Sequence, residues 1–179
     1  YDGRVVKFDW QHNLYLHETN TLTVGVEREV EKGESDFYSE SQFGPFQSTF
    51  ERRTARINSL YVQDQIKLWN KWFTTFGVRF DDHDRFGTET TYRIASSYLV
   101  RRTGTRLKGS FGTGFKAPTL FQLFSQFGVL TLKPEESEGW DVGVEQSLFD
   151  DRLTLGATYF ENDFENLIEF DTGTSKYVN

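Results

Sequence analysis

The chain of 179 residues contains no cysteine, no methionine and only three prolines. Without cysteine there is no disulfide scaffold, no thiolate metal site and no thiol nucleophile. The same absence suits a chain that crosses an oxidising space. No apolar run approaches the ~18 residues of a transmembrane helix, which excludes a helical membrane protein. Positive charge is in deficit: 20 Lys and Arg stand against 27 Asp and Glu, a formal net charge of −7. That balance lacks the basic footprint of nucleic-acid binding. A charged-then-apolar signal segment is also missing from the opening Tyr1-Asp2-Gly3-Arg4, as expected where a signal has been removed or the start lies upstream. The hydrophobic fraction, 36%, is low for a globular core, yet 17% of residues are aromatic. Disordered chains are poor in aromatics, so disorder is excluded.

What the chain has is strict alternation. Val6, Phe8, Trp10, His12, Leu14 and Leu16 share one face, and Lys7, Asp9, Gln11, Asn13 and Tyr15 the other. The same period runs through Leu22–Val24–Val26, then Leu60–Val62–Ile66–Leu68, then Trp72–Thr74–Phe76–Val78–Phe80. It continues through Tyr92–Ile94–Tyr98–Val100, Leu107–Phe111–Phe115, Trp140–Val142–Val144–Leu148 and Leu153–Leu155–Ala157–Tyr159. Asp64 breaks the apolar face of its run, as a bulge or a position at the membrane edge would allow. About eight strands follow, many near or above the ~9–11 residues that span a bilayer and longer than the ~5–6 usual in globular sheets. One face is apolar; the other is polar, charged and rich in small residues. In a transmembrane barrel these face lipid and a wet lumen respectively.

Connections alternate in length. Short ones fall at 17–20, 69–71, 101–104 and 149–151, and long ones at 33–53, 82–89 and 117–137, with another starting near Asp171. Short periplasmic turns alternating with long outer loops are the rule for outer-membrane barrels. Pro45, Pro118 and Pro134 are expected between strands, because proline cannot donate to a ladder. Trp69, Trp72 and Phe149 at short turns suit an interfacial aromatic girdle. Lys176 to Asn179 read as the beginning of a further strand. The fold expected is all-β, an antiparallel up-and-down transmembrane barrel segment of about eight long strands within a wider barrel.

Particular motifs sharpen this. Ser110-Phe-Gly-Thr-Gly-Phe-Lys-Ala-Pro118 is followed by Leu132-Lys-Pro-Glu-Glu-Ser137 and Trp140-Asp-Val-Gly-Val-Glu145. With Tyr61-Val-Gln-Asp-Gln65, Gly77-Val-Arg-Phe-Asp81 and Phe160 to Ile168, the chain resembles the barrel of TonB-dependent outer-membrane receptors, nearest to the cobalamin-receptor branch. The resemblance implies that residues 1–179 are part of a barrel of about twenty-two strands. The plug, the TonB box and the C-terminal strands are absent from this sequence. It further implies a bacterial outer-membrane location and a parent that actively imports a scarce metal chelate, cobalamin or a ferric siderophore. Partners of that parent are outer-membrane lipid, the chelate and TonB. The family motifs are specific for the family and weak for the substrate.

Candidate sites are few. The segment 120–130 is unusually apolar for a loop, and Phe121, Phe124 and Phe127 are the candidate ligand contacts at the barrel mouth. Folding back onto the rim, or onto neighbouring loops, is the alternative use for the same rings. Lys116-Ala117-Pro118 is expected to end a strand. Asp81, Asp82, His83 and Asp84 crowd a loop, but lack the spacing of a calcium loop and are expected to be a solvated acidic tip. Glu27, Glu29 and Glu31 share a face and, with Arg28 and Lys32 close by, suggest an exposed strand extension. His12, His17 and His83 are isolated from one another, and no nucleophile elbow, paired-His zinc motif or phosphate loop occurs. The chain is therefore expected to have no catalytic residues, no metal site and no cofactor. Two rivals remain at this point: a soluble or small closed β-barrel that binds an apolar ligand with its apolar face inward, and an outer-membrane enzyme with a catalytic rim.

Overall fold

Each alternating run forms a strand. The computed structural model describes residues 2–42 and 44–179. Strands β1 (Asp2–His17), β2 (Asn20–Ser41), β3 (Gly44–Leu68), β4 (Trp72–His83), β5 (Gly87–Val100), β6 (Thr105–Lys116), β7 (Glu135–Leu148) and β8 (Leu153–Glu165) make one antiparallel sheet in chain order. Between β6 and β7 lies a short helix, α1 (Leu120–Phe124); after β8 comes a small hairpin of β9 (Glu169–Asp171) and β10 (Lys176–Val178). Among the described residues β1 and β8 do not pair, so the sheet is an open wall and not a closed barrel.

Exposure separates the two faces. Phe8, Leu60 and Val142 on the apolar face are 64%, 48% and 52% exposed, whereas Thr23, Ser59 and Asp81 on the polar face are 6%, 6% and 8% exposed. The apolar face is the outer one, and the polar face is shielded within the curve of the sheet. This overturns the inward-facing apolar pocket that a soluble ligand-binding barrel requires. Outward Trp72 packs edge-on against Tyr98, and Trp140 lies beside Tyr159. At the short-turn rim Trp69 and Asn70 adopt left-handed φ of 51° and 53°. Both central residues of that turn therefore have the primed geometry that matches the twist of a tight hairpin.

Several boundaries differ from the pattern in the sequence. The stretch 33–53 is not a long loop: β2 continues to Ser41 and β3 begins at Gly44, with a register shift between Gly33 and Ser35. Apolar alternation stops there because both faces of the extension stand beyond the lipid, while the hydrogen-bonded ladder continues. The stretch 82–89 shrinks in the same way to a turn at 84–86. Pro45 lies inside β3 opposite Glu40, near the free end of the hairpin where a missing donor matters least. Asp64 sits in continuous register with no bulge, and its carboxylate accepts from Asn20 Nδ2 at 3.0 Å. Residues 176–178 pair back onto β9 and do not extend the wall.

One inward glycine is required by a close approach. A Cβ on Gly25 would strike the ring of Tyr61, which lies across it from the next strand. Seated there, the Tyr61 hydroxyl reaches Gln11 Oε1 at 3.2 Å and Asp9 Oδ2 at 3.4 Å, tying β3 to β1 over the top of β2.

Candidate functional site: the lumenal network and the outer mouth

The inner face is organised by the register. Glu27, Ser59 and Asp81 lie side by side on β2, β3 and β4, and Arg79 is one inward position below Asp81. Its guanidinium donates from Nη2 to Glu27 Oε1 at 2.9 Å and to Ser59 Oγ at 2.8 Å, and from Nε to Asp81 at 2.9 Å. Lys7 Nζ closes the network from β1, 2.8 Å from Glu27 Oε2. The planar guanidinium spans two carboxylates and a hydroxyl at fixed angles, which a point charge cannot do. Farther round the wall, Lys108 pairs with Glu145 at 2.7 Å, and the Ser110 hydroxyl donates to Asp141. The wall thus presents a continuous polar surface on which Glu27, Arg79, Asp81 and Lys7 form one paired cluster and Lys108 and Glu145 another.

This corrects the glutamate reading. Glu27, Glu29 and Glu31 face inward, and Glu27 has only 10% of its side chain exposed. Arg28 and Lys32 occupy the opposite, outward face. The acidic tip divides likewise: Asp81 and His83 are buried inward, Asp82 takes the outward position between them, and Asp84, in the turn, lies 3.4 Å from His83 Nδ1 and 3.8 Å from Arg56. His83 Nδ1 accepts the Arg85 N–H at 3.1 Å, and burial holds the imidazole below its usual pKa. Sequence reading missed the Arg79 hub. Its signal was present in the like parity of Arg79 and Asp81, but the partner Glu27 lies 52 residues away, which only register reveals.

The mouth is built on the 117–134 connection. Thr119 caps α1: its hydroxyl accepts from Gln122 N–H at 3.2 Å, and Gln122 Oε1 accepts from Thr119 N–H at 2.9 Å. Such a reciprocal box satisfies two helix-end donors. It also lets so short a helix hold Leu120 and Leu123 inward. These two, with Leu132 and Phe50, are the buried apolar residues among those described. The small hydrophobic core therefore lies at the mouth and not in the wall.

All three candidate phenylalanines are half-buried in this cluster. Phe121 meets Phe50 and Tyr177 edge-on, with ring centroids 6.4 and 6.3 Å away. Phe127 stacks on Phe46 at 6.4 Å and meets Phe170 at 5.8 Å. Phe124 lies between two guanidinium groups, Arg53 at 4.9 Å and Arg85 at 5.4 Å from its centroid. The rings thus join the β2–β3 extension, the α1 loop and the β9–β10 hairpin.

Polar ties reinforce that join. Tyr177 N–H donates to Phe127 O at 3.0 Å, and Asn179 exchanges hydrogen bonds with the Lys133 backbone at 2.7 and 3.1 Å. Below them Glu135 accepts from Lys116 Nζ at 2.7 Å and from the Ile168 N–H at 3.0 Å. The Lys116 hydrogen bond first, then the Ile168 N–H, holds the Glu135 carboxyl below its usual pKa. A carboxylate depressed on folding stabilises above its unfolded pKa, and the stabilisation is lost as pH falls through the folded value. Loop 117–134 should therefore be protected at neutral pH and open on acidification below the ordinary glutamate range. Exchange of the Ile168 amide should accelerate there, and Glu135→Gln should flatten that pH dependence.

A one-sheet meander with apolar positions on its outer face, ion pairs on its inner face and long strands rising into an aromatic mouth defines the wall of a transmembrane β-barrel. Comparison with known proteins agrees: the family model "TonB dependent receptor-like, beta-barrel" matches residues 1–179. The chain belongs to the TonB-dependent receptor family. Over 113 residues, 62% of the chain, it is 31% identical to the vitamin B12 transporter BtuB of Vibrio cholerae serotype O1. It superposes on a variant of the ferric enterobactin receptor PfeA from Pseudomonas aeruginosa with a TM-score of 0.77 and 27% identity, covering 93% of this chain. The siderophore receptor PirA from Pseudomonas aeruginosa gives 0.74 and 28%, again over 93%. The chain spans only 18% of that B12 transporter, 27% of that PfeA chain and 32% of that PirA chain. These relatives are transporters and receptors, not enzymes.

Proposed function

We propose that this chain is part of the barrel wall of an outer-membrane active transporter that imports a scarce metal chelate, cobalamin or a ferric siderophore. The observation that carries the reading is the division of faces. An apolar outer face needs lipid, and a polar, charged inner face suits a wet passage. In this reading the chain lies in the bacterial outer membrane within a barrel of about twenty-two strands. A plug and a TonB-binding box elsewhere in the parent couple it to TonB. The wall itself performs no covalent chemistry.

Phe121, Phe124 and Phe127 contribute chelate contacts through the parts of their rings that stay open. The position of Phe124 between Arg53 and Arg85 favours an anionic chelate. The test is deletion of the parent gene, followed by uptake of labelled cyanocobalamin, a ferric catecholate and a ferric hydroxamate. Loss of one uptake activity identifies the cargo; unchanged uptake of the whole panel overturns the reading. In the full-length receptor Phe124→Ala should weaken binding of that cargo, and an unchanged Kd removes the ring from the site.

A further inference from the structure

The turn between β4 and β5 is three residues long, Asp84 to Phe86, and closes on Gly87 at a left-handed φ of 80°. That is a common form of three-residue hairpin loop. The ladder supplies no partner for the Arg85 N–H at its tip; a side chain does. His83, the last residue of β4, is 5% exposed, and its Nδ1 accepts the Arg85 N–H at 3.1 Å. The Asp84 N–H is held separately, by Arg56 O at 3.0 Å.

Arg85 carries this turn into the mouth. Its Nη2 donates to Leu130 O at 2.7 Å, and its guanidinium carbon lies 5.4 Å from the centre of the Phe124 ring. Arg53 lies 4.9 Å from the same ring, but its backbone belongs to a paired strand. Arg85 has no such ladder. A shift of its backbone withdraws the guanidinium from Phe124 and Leu130 together. The contacts therefore run in series, from His83 to the Arg85 backbone and from the Arg85 side chain to ring and loop.

We propose that His83 is a positioning residue of the mouth: as a neutral imidazole it holds the Arg85 backbone so that the guanidinium stays on Phe124, and protonation releases it. This rests on the reading of Phe124 as a chelate contact. An imidazole accepts at Nδ1 only while that nitrogen keeps its lone pair, with the proton on Nε2. A second proton goes onto Nδ1, so that two donors face each other, and the new N–H turns to Asp84 Oδ1, 3.4 Å away.

The charges around the ring set when this happens. Asp82, Asp84 and Arg85 flank it in sequence. The recess that His83 lines is shared by Glu27, Glu29 and Glu31 of β2, Arg79 and Asp81 of β4 and Lys116 of β6. Arg79 spans Glu27 and Asp81, and Lys116 is paired with Glu135. Burial, the largest influence, outweighs Asp84 and Asp82, so the ring charges only below the usual histidine range. The hold on Arg85 is thus complete above that range and lost as pH falls through the lower folded value.

The test uses the full-length receptor in detergent, with a ferric tris-catecholate as the anionic probe, between about pH 8 and about pH 5. Hydrogen exchange, corrected for the intrinsic rate at each pH, reads protection of the Arg85 amide, and fluorescence quenching reads the Kd of the probe. In the wild type both should be lost together on acidification, the Kd weakening about threefold to tenfold, the weight of one neutral hydrogen bond. His83→Ala should show the open amide and the weaker Kd already at neutral pH. His83→Asn places a non-titrating acceptor, Oδ1, one bond beyond Cγ as Nδ1 is. It should restore both readouts, and the ratio of wild-type to H83N Kd cancels the probe's own response to pH. A heat-shifted band on an unboiled gel shows that each variant has folded. An Arg85 amide still protected in folded H83A, an H83N receptor that titrates like the wild type, or an H83A Kd unchanged despite an open amide overturns the proposal. A wild type that binds no catecholate while its Arg85 amide titrates as described supports the hold of His83 on Arg85 and overturns the anionic-chelate reading alone.

Discussion

Val62→Arg should destabilise the lipid-inserted protein by about 2–4 kcal/mol, the range for an arginine at the bilayer midplane of a barrel. Val62 lies mid-strand on β3, is 38% exposed, and is flanked on the outer face by Val24 and Val78. An arginine there has no acidic neighbour in its row, and the nearest acid on its face, Asp64 two positions along β3, already accepts from Asn20 at 3.0 Å. Gln63→Arg, one residue on, moves the same charge to the lumenal face, beside Gly77 and close to Asp9 and Gln11. It should shift stability by less than about 0.5 kcal/mol, as for an uncomplicated surface change. The readout is the temperature at which the folded band disappears from an unboiled gel. A large loss for position 62 with none for position 63 assigns the faces; the reverse order means that the apolar face points inward.

Arg79→Ala should be the most disruptive change on the lumenal side. It leaves Glu27 and Asp81, with 10% and 11% of their side chains exposed, facing each other across Ser59. Removing one partner from a buried ion pair costs about 3–5 kcal/mol. Here 34% of the Arg79 side chain remains open to water, and screening lowers the expectation to about 2 kcal/mol. Arg79→Lys should recover only part, because one ammonium cannot hold both carboxylates and the serine at once. The same gel transition measures it, and a double-mutant cycle with Glu27→Gln should show strong coupling. Additive losses would mean that the two groups merely lie near each other.

The wall strands were legible in the sequence because a two-residue period has one simple cause. Where lipid covers one face and water the other, hydrophobic selection acts at every second position, and runs such as Val6 to Leu16 record it. The strand extensions were not legible. From Gly33 to Arg53 both faces meet water or loops, so nothing in the composition distinguishes ladder from coil, and only the hydrogen-bonded register of β2 with β3 does. The candidate rings stood out by their apolarity, but their partners did not. Phe121 meets Phe50 from 71 residues earlier and Tyr177 from 56 residues later, and no local pattern encodes such encounters.

By itself, then, the sequence determined the class of fold, the number of wall strands, the short turns and the family, since each is written in local period or contiguous motif. Tertiary structure decided which face is outward, that Glu27 and Asp81 share Arg79, that Asp81 and Asp82 point to opposite sides, and that the phenylalanines clasp three loops together. The physical reason is common to all four. Periodicity assigns residues to one face or the other, but curvature and strand register, set by long-range pairing, decide where each face points and which side chains meet on it.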